Sequence, residues 1–293
     1  MEGRFRGFEV TTSASGVATV TFNQPEHLNG VTLAIKRDLA EAVTQLQMDR
    51  AVRVVVITGS GRAFCAGDDM ADEAAVPTET ALADSRRRDF GDALPLTADL
   101  PWHITGGIQT YDVLRTMSQC LLVALRALDK PTIAAVNGVA IQTGLSIALA
   151  CDFRIASTDA RLGSATLRFG FMPDEGGHAL LVQLIGVAKA LDFCLRSRIV
   201  SAKEALELGL VNEVVAPDHV LPCAMELAEE LAAGPQTAMR LLKRAIYNAA
   251  DLTLLQAFDD IAIKTAVSDH HPDAREGIAA FREKRRPRFD PQA

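Results

Sequence analysis

"VNGVAIQTGLSIALACDFRIA", residues 136–156, carries the reading that decides the fold. Val136 ends "TIAAV" (132–136), a continuous apolar run of the kind found in a strand covered on both faces. Gly138 then permits a bend, "LSIALAC" (145–151) is apolar all round as a buried helix is, and "FRIA" (153–156) returns to strand. Strand, bend, helix and strand in so short a span predict an α/β architecture. Thr143 and Gly144 fall at the amino terminus of the helix. The first amides there lack intrahelical acceptors, and the dipole favours negative charge, so this end can hold an oxyanion. The polar side chains beside it, Gln142, Thr143 and Ser146, are not ordinary acids or bases near neutral pH.

Upstream, the same grammar recurs. "VRVVVITGSG" (52–61) is a second buried strand, and "GRAFCAGDDM" (61–70) follows it. The small residues Ala63, Ala66 and Gly67 let a ligand approach the main chain, and the amides of Gly67 to Asp69 could point at an anion if the loop turns there. The plain alternative is a tight loop that needs a glycine. If the two loops meet in space, their amides form an oxyanion hole from main chain, where loss of one donor costs on the order of 100- to 1000-fold in rate.

The remaining segments frame these loops. "GVATVTF" (16–22) alternates as a strand, and Thr32 can cap an amphipathic helix that buries Leu33, Ile35, Leu39, Ala42, Val43 and Leu46. Residues 71–115 lose regularity, yet hold Trp102, His103 and Tyr111; they read either as a solvated loop or as a pocket lid. "SQCLLVALRALDKP" (118–131) is a helix stopped by Pro131. Past residue 186 strands nearly vanish: Ser201 and Glu204 suggest a capping box, Pro235 a helix start, and "LTLLQAFDDIAIKTAV" (252–267) an amphipathic run. Two regions are therefore expected, 1–200 and a helical 201–293. No internal repeat is visible in the sequence.

Composition excludes several functions. With 293 residues the chain can build a large core, and a net charge of −7 argues against general phosphate-backbone binding, so nucleic acid is not expected. The five cysteines show no CxxC spacing and read as reduced core residues of a cytoplasmic protein. "MEGRFRGFEV" has no signal-peptide core, and no run reaches about 18 consecutive apolar residues, so no membrane partner is expected. There is no HExxH, GxxxxGK[ST] or strand-linked GxGxxG to hold zinc, ATP or NAD.

"AFCAGDDM", "KPTIAAVNGVAIQTGLSIALACDFRIAS", "FGFMPDEGGHALLVQLIG" and "SAKEALELGLVNEVV", in that order, resemble the successive signatures of the crotonase (enoyl-CoA hydratase/isomerase) superfamily. Apart from residues 71–115 the resemblance covers nearly the whole chain. It implies a ββα spiral core, a helical carboxy-terminal region that builds trimers or hexamers, and an acyl-CoA thioester as substrate with no further cofactor. It also implies that the amides of Asp68 and Thr143 hold the thioester oxygen, and that Arg62, Ala63, Phe64, Ala66 and Gly67 line the adenine and pantetheine path. Lys284, Arg285 or their basic neighbours would neutralise CoA phosphates, or else are merely solvated.

The sequence also departs from that pattern. Hydratases of the superfamily carry two glutamates that activate water, and the matching positions are Ser146 and Thr166, so two-glutamate hydration is not expected. The carboxylates left are Asp174 and Glu175 in "MPDEGGH" (172–178). In related isomerases an aspartate in such a segment moves a proton, which makes Asp174 the leading acid/base. Flanked by Phe169, Phe171 and Met172, it could be desolvated and its pKa raised. The competing reading is a helix cap at Gly177. His178 could assist or be satisfied locally. Ser146 has no Gly-x-Ser-x-Gly elbow and reads as a filler of vacated space. Double-bond isomerisation fits one carboxylate best. The alternatives are hydration through a rearranged site, C–C bond hydrolysis, and an acyl-CoA-binding subunit without catalysis.

Overall fold

The computed structural model describes residues 2–69 and 107–289. A seven-stranded sheet runs in the order β1-β2-β3-β4-β6-β8-β11. Its strands are β1 (Gly3–Phe5), β2 (Phe8–Thr12), β3 (Val17–Phe22), β4 (Val54–Gly59), β6 (Thr132–Val136), β8 (Phe153–Ser157) and β11 (Glu213–Val215). A second sheet, in the order β10-β9-β7-β5, contains β5 (Ala63–Cys65), β7 (Val139–Ile141), β9 (Arg161–Gly163) and β10 (Ile199–Ser201). The pairs β4/β5, β6/β7 and β8/β9 each send their first strand to the large sheet and their second to the small one. A helix follows each pair along the chain: α3 (Cys120–Ala127), α4 (Thr143–Ala150) and α5 (Gly177–Leu195). The ββα unit thus repeats in space although no repeat is visible in the sequence.

Alternation along the central strands explains why this sheet is covered on both faces. Val55 and Ile57 of β4, Ala134 and Val136 of β6, and Ala156 of β8 enter one cluster with Ile35, Leu39, Val43 and Leu46 of α1 (Leu33–Met48). Val54, Val56, Ile133, Ala135 and Ile155 point the other way, onto Val220, Ala224, Ala228 and Ala232 of α7 (Val220–Ala232). That four-residue spacing puts three alanines on one helical face, which lets α7 lie close against the strands. Because β11 and α7 complete this sheet, the large layer extends past the change of class near residue 200.

The segment that decides the fold holds one strand more than its sequence suggests. Between β6 and α4 lies β7, and the glycine before it is needed for close approach: a Cβ on Gly138 would sit 2.0 Å from the carbonyl oxygen of Arg62. The left-handed residue falls instead at Gln142 (φ 48°), immediately before α4.

Thr32 caps α1 by accepting from the Ile35 N–H, and Ser201 caps α6 (Ala202–Leu208) by accepting from Glu204. Pro235 occupies the capping position of α8 (Gln236–Ala249), and Thr253 with Gln256 closes a reciprocal capping box on α9 (Leu254–Asp269). The chain then forms α10 (Pro272–Glu283). Helix α8 is tied to the core by polar contacts, with Lys243 2.8 Å from Asp152, Tyr247 bonded to the same carboxylate, and Arg244 donating to the carbonyls of Arg126 and Leu128. Helices α8 to α10 expose Leu242, Ile246, Leu254, Leu255, Phe258 and Phe281. Helix α5 has the length and hydropathy of a membrane span, but Gly186 breaks its backbone (φ 76°, ψ 165°) and it carries Lys189 and Asp192.

Of the segment read as a lid, only the end is described: α2 (Gly107–Val113), with Tyr111 exposed, and a π-helical turn, Leu114–Ser118. Trp102 and His103 lie outside the described residues.

Candidate active site

Two asparagines fix the first loop. Asn29, buried and left-handed (φ 56°), donates to the carbonyls of Ser60 and Ala63, and Asn137 donates to Gly61 and Ala63 while accepting from the Gly59 N–H. The chain then passes through β5 to Gly67 (φ 106°). Val31 forms a parallel bridge to Asp68: its N–H donates to the Gly67 carbonyl at 2.9 Å, and its carbonyl accepts from Asp69 at 3.2 Å. In such a bridge the neighbours of the paired residue make both bonds, so the Asp68 N–H faces away from Val31.

The second loop lies directly against the first. A Cβ on Gly144 would stand 1.9 Å from the Cys65 carbonyl oxygen, and one on Gly67 would stand 3.2 Å from that of Ile141. The Gly144 contact leaves no room for a side chain, and at Gly67 the tight contact is joined by a positive φ that favours glycine. Thr143 opens α4, whose first intrahelical bond runs from the Ser146 N–H to the Gln142 carbonyl. The amides of residues 143–145 therefore have no acceptor within the helix. Across the loops, the Thr143 hydroxyl reaches Asp68 Oδ1 at 2.6 Å.

The third loop brings the carboxylates. Helix α5 is capped by the left-handed Gly176 without a side-chain cap, so neither Asp174 nor Glu175 serves as its N-cap. Glu175, 2% exposed, turns inward: Oε1 lies 2.5 Å from the Thr143 hydroxyl and Oε2 accepts from Gln142 Nε2 at 3.0 Å. Burial raises its pKa, but the Lys36 charge and the bonds from Thr143 and Gln142 outweigh that, and the carboxyl is held below its ordinary value. Gln142 is itself fixed by Ser164 and Thr166, whose hydroxyls meet its Oε1 at 3.2 and 3.3 Å.

Asp174 is half-buried, its carbonyl bonded by Gln119 Nε2 at 2.9 Å. Burial first, then the negative charge of Glu175, push its carboxyl up to about 6. The raised value agrees with the expected desolvation, although the flanking Phe169, Phe171 and Met172 are themselves largely exposed. Asp174 and Glu175 are thus adjacent in sequence but pushed in opposite directions.

Lys36 was missed in the sequence. It lies on α1 and is 1% exposed, with Nζ 2.7 Å from Asp68 Oδ1, 3.0 Å from Ser118 Oγ and 3.6 Å from Glu175 Oε1. The one available signal was a lysine at a position beside the apolar face, between Ile35 and Leu39. Burial lowers its pKa, yet the two carboxylates more than compensate, and it stays above its ordinary value.

Other expected residues separate from this cluster. Ser146 is buried with Oγ 2.2 Å from where a Gly177 Cβ would stand, so the first turn of α5 fills the space beside it. Ala63 and Phe64 have core side chains, Phe64 edge-on to Phe22 at 5.9 Å, so only their main chain is left to line a ligand path. Arg62 is exposed and Ala66 half-buried. His178 is exposed on α5. Lys284 forms the left-handed end of α10, and Arg285 pairs with Glu276 and Glu283. Among the described residues no hydrogen bond or ion pair joins these basic groups to the Arg62–Asp68 loop.

Comparison with known proteins agrees with this architecture. The family model described as enoyl-CoA hydratase/isomerase matches residues 12–94 and 96–292. The chain is 34% identical over 276 residues to 1,2-epoxyphenylacetyl-CoA isomerase of Escherichia coli, covering 94% of this chain and 95% of that protein. It is 30% identical over 274 residues to crotonyl-CoA hydratase of Syntrophomonas wolfei, covering 93% and 94%. The crystal structure of enoyl-CoA hydratase from Bacillus anthracis superposes with a TM-score of 0.81 at 31% identity, covering 97% of this chain and 98% of that one. With the two-sheet ββα core and the glycine-spaced loops in place, the chain belongs to the enoyl-CoA hydratase/isomerase family of the crotonase superfamily.

Proposed function

We propose that this family enzyme is a double-bond isomerase of acyl-CoA thioesters. The amides of Asp68 and Thr143 hold the thioester oxygen as it becomes an enolate, and Asp174 takes a proton from one carbon and returns it at another. The observation that carries this reading is the asymmetry of the carboxylates: Asp174 is half-buried with its pKa raised to about 6, while Glu175 is bound by Thr143 and Gln142 and faces Lys36. A base with a pKa near the working pH is ionised often enough to take a proton and acidic enough to give it back. Glu175, with its oxygens already committed, is poorly suited to orient a water, which disfavours hydration through a rearranged site. Serine at 146 and threonine at 166 supply no second carboxylate. An isomerase among the relatives is consistent with this chemistry.

The test is product analysis with 2-enoyl- and 3-enoyl-CoA series. Interconversion of the two without 3-hydroxyacyl-CoA supports isomerisation. Accumulation of 3-hydroxyacyl-CoA supports hydration instead, and binding without turnover of either series supports a non-catalytic acyl-CoA subunit.

We also infer that α5 and α8 to α10 mediate self-association as a trimer or hexamer. The support is the apolar surface they expose, including Val187 and Leu191 of α5 and Phe258 and Phe281 of the carboxy-terminal helices. A monomeric mass in solution would overturn it.

A further inference from the structure

A single hydroxyl, that of Thr143, has one proton and two carboxylate oxygens within hydrogen-bond distance, Asp68 Oδ1 at 2.6 Å and Glu175 Oε1 at 2.5 Å. Two anions this close repel unless a cation or an extra proton lies between them. The Lys36 ammonium stands there, reaching Asp68 on the first loop and Glu175 on the third, with Ser118 of the π-helical turn as its remaining partner. A charge removed from water at this cost persists only when its partners are fixed around it.

We propose that Lys36 is a positioning residue for the thioester pocket: its charge holds the Asp68 loop and the Glu175 loop together across Thr143, and so sets where both oxyanion amides point. The proposal rests on the thioester reading above. Lys36 touches no reacting atom; it acts through Asp68 and through Glu175, and its positive charge also works against the rise in the Asp174 pKa. The titratable groups around it are Asp68 and Cys65 from the first loop and strand, Asp174 and Glu175 from the third loop, and Cys120 of α3. Both thiols are pushed up by burial, which keeps them neutral near pH 7.

Acetoacetyl-CoA is a probe that separates positioning from chemistry, because its enolate absorbs differently from its keto form and enolisation on the protein reports the oxyanion pocket. Wild type, Lys36→Met, Lys36→Met/Glu175→Gln and Asp174→Asn are titrated with it across pH. The double variant leaves the net charge of the Asp68, residue 36 and residue 175 trio as in the wild type. Lys36→Met is expected to move the bound enolate midpoint up by about one pH unit or more, and the double variant to recover most of that shift. If Lys36→Met fails to fold, a folded double variant with a near-wild-type midpoint still supports the proposal. Wild-type midpoints in both variants overturn it, and so does failure of both to fold, since neutralising the pair then restores nothing. Asp174→Asn keeps the enolate signal but loses turnover; if it keeps turnover, the base assignment fails while the Lys36 result stands. No enolate on the wild type removes the thioester reading and the inference together.

Discussion

Thr143 is hydrogen-bonded to Glu175 Oε1 at 2.5 Å, so the residue that opens α4 is joined by its side chain to the loop before α5. Its amide and its hydroxyl therefore have separable tasks. Thr143→Val keeps the amide but leaves the buried Glu175 carboxylate short of a donor, a loss of about 1 to 3 kcal/mol. Urea unfolding is expected to show that loss for valine and its recovery for Thr143→Ser.

The carboxylate pair gives a pH signature. A base must be ionised to accept a proton, so kcat/KM for isomerisation should rise with pH through a midpoint of about 6 and level off above it. Glu175 raises the Asp174 pKa by its negative charge, so Glu175→Gln should shift the midpoint to lower pH. A pH–rate profile of both proteins checks the direction.

The same pair predicts opposite effects on stability. Glu175, held below its ordinary 4.5, contributes stability that is in place above that value and is lost as pH falls through the folded-state pKa. Asp174, raised above its ordinary 3.8, favours the fold at low pH and loses that contribution as pH rises towards 6. Thermal unfolding of wild type and Glu175→Gln between pH 3 and 7, roughly the range these values span, should show the difference between them shrinking on the acid side.

The glycine contacts predict a loss of activity through loop geometry. Gly144→Ala puts a methyl group 1.9 Å from the Cys65 carbonyl unless the loops part. Turnover is expected to fall on the order of 100-fold or more, as when an oxyanion donor is removed. Steady-state kinetics on folded Gly144→Ala checks it.

Ser146 supplies a contrasting case. It packs against Gly177, and among the described residues no acid or base is hydrogen-bonded to its hydroxyl, so Ser146→Ala should keep turnover within about threefold, where loss of a true nucleophile costs several orders of magnitude. A large loss would revive the nucleophile reading.

Much of this was legible in the sequence because it follows from local pattern. The apolar runs of β4 and β6, the Thr32 cap and the glycines beside Asp68 and Thr143 all carry their physical reason in adjacent residues. The short strand β7 was not legible, since three residues pairing with β5 and β9 have no period to detect. Lys36 was hidden for a different reason. A lysine in a helix normally faces water, and only the meeting of α1 with the first and third loops gives it partners 32 and 139 positions away. The exposure of Phe169, Phe171 and Met172 was likewise invisible, because sequence adjacency to Asp174 does not say which way a side chain turns.

Conversion of 3-enoyl-CoA to 2-enoyl-CoA by Asp174→Asn, measured beside the wild type, tests the central claim most directly. The rate is expected to be at least about 100-fold lower, in the range of a lost general acid/base, with CoA-ester binding retained. An undiminished rate would contradict it.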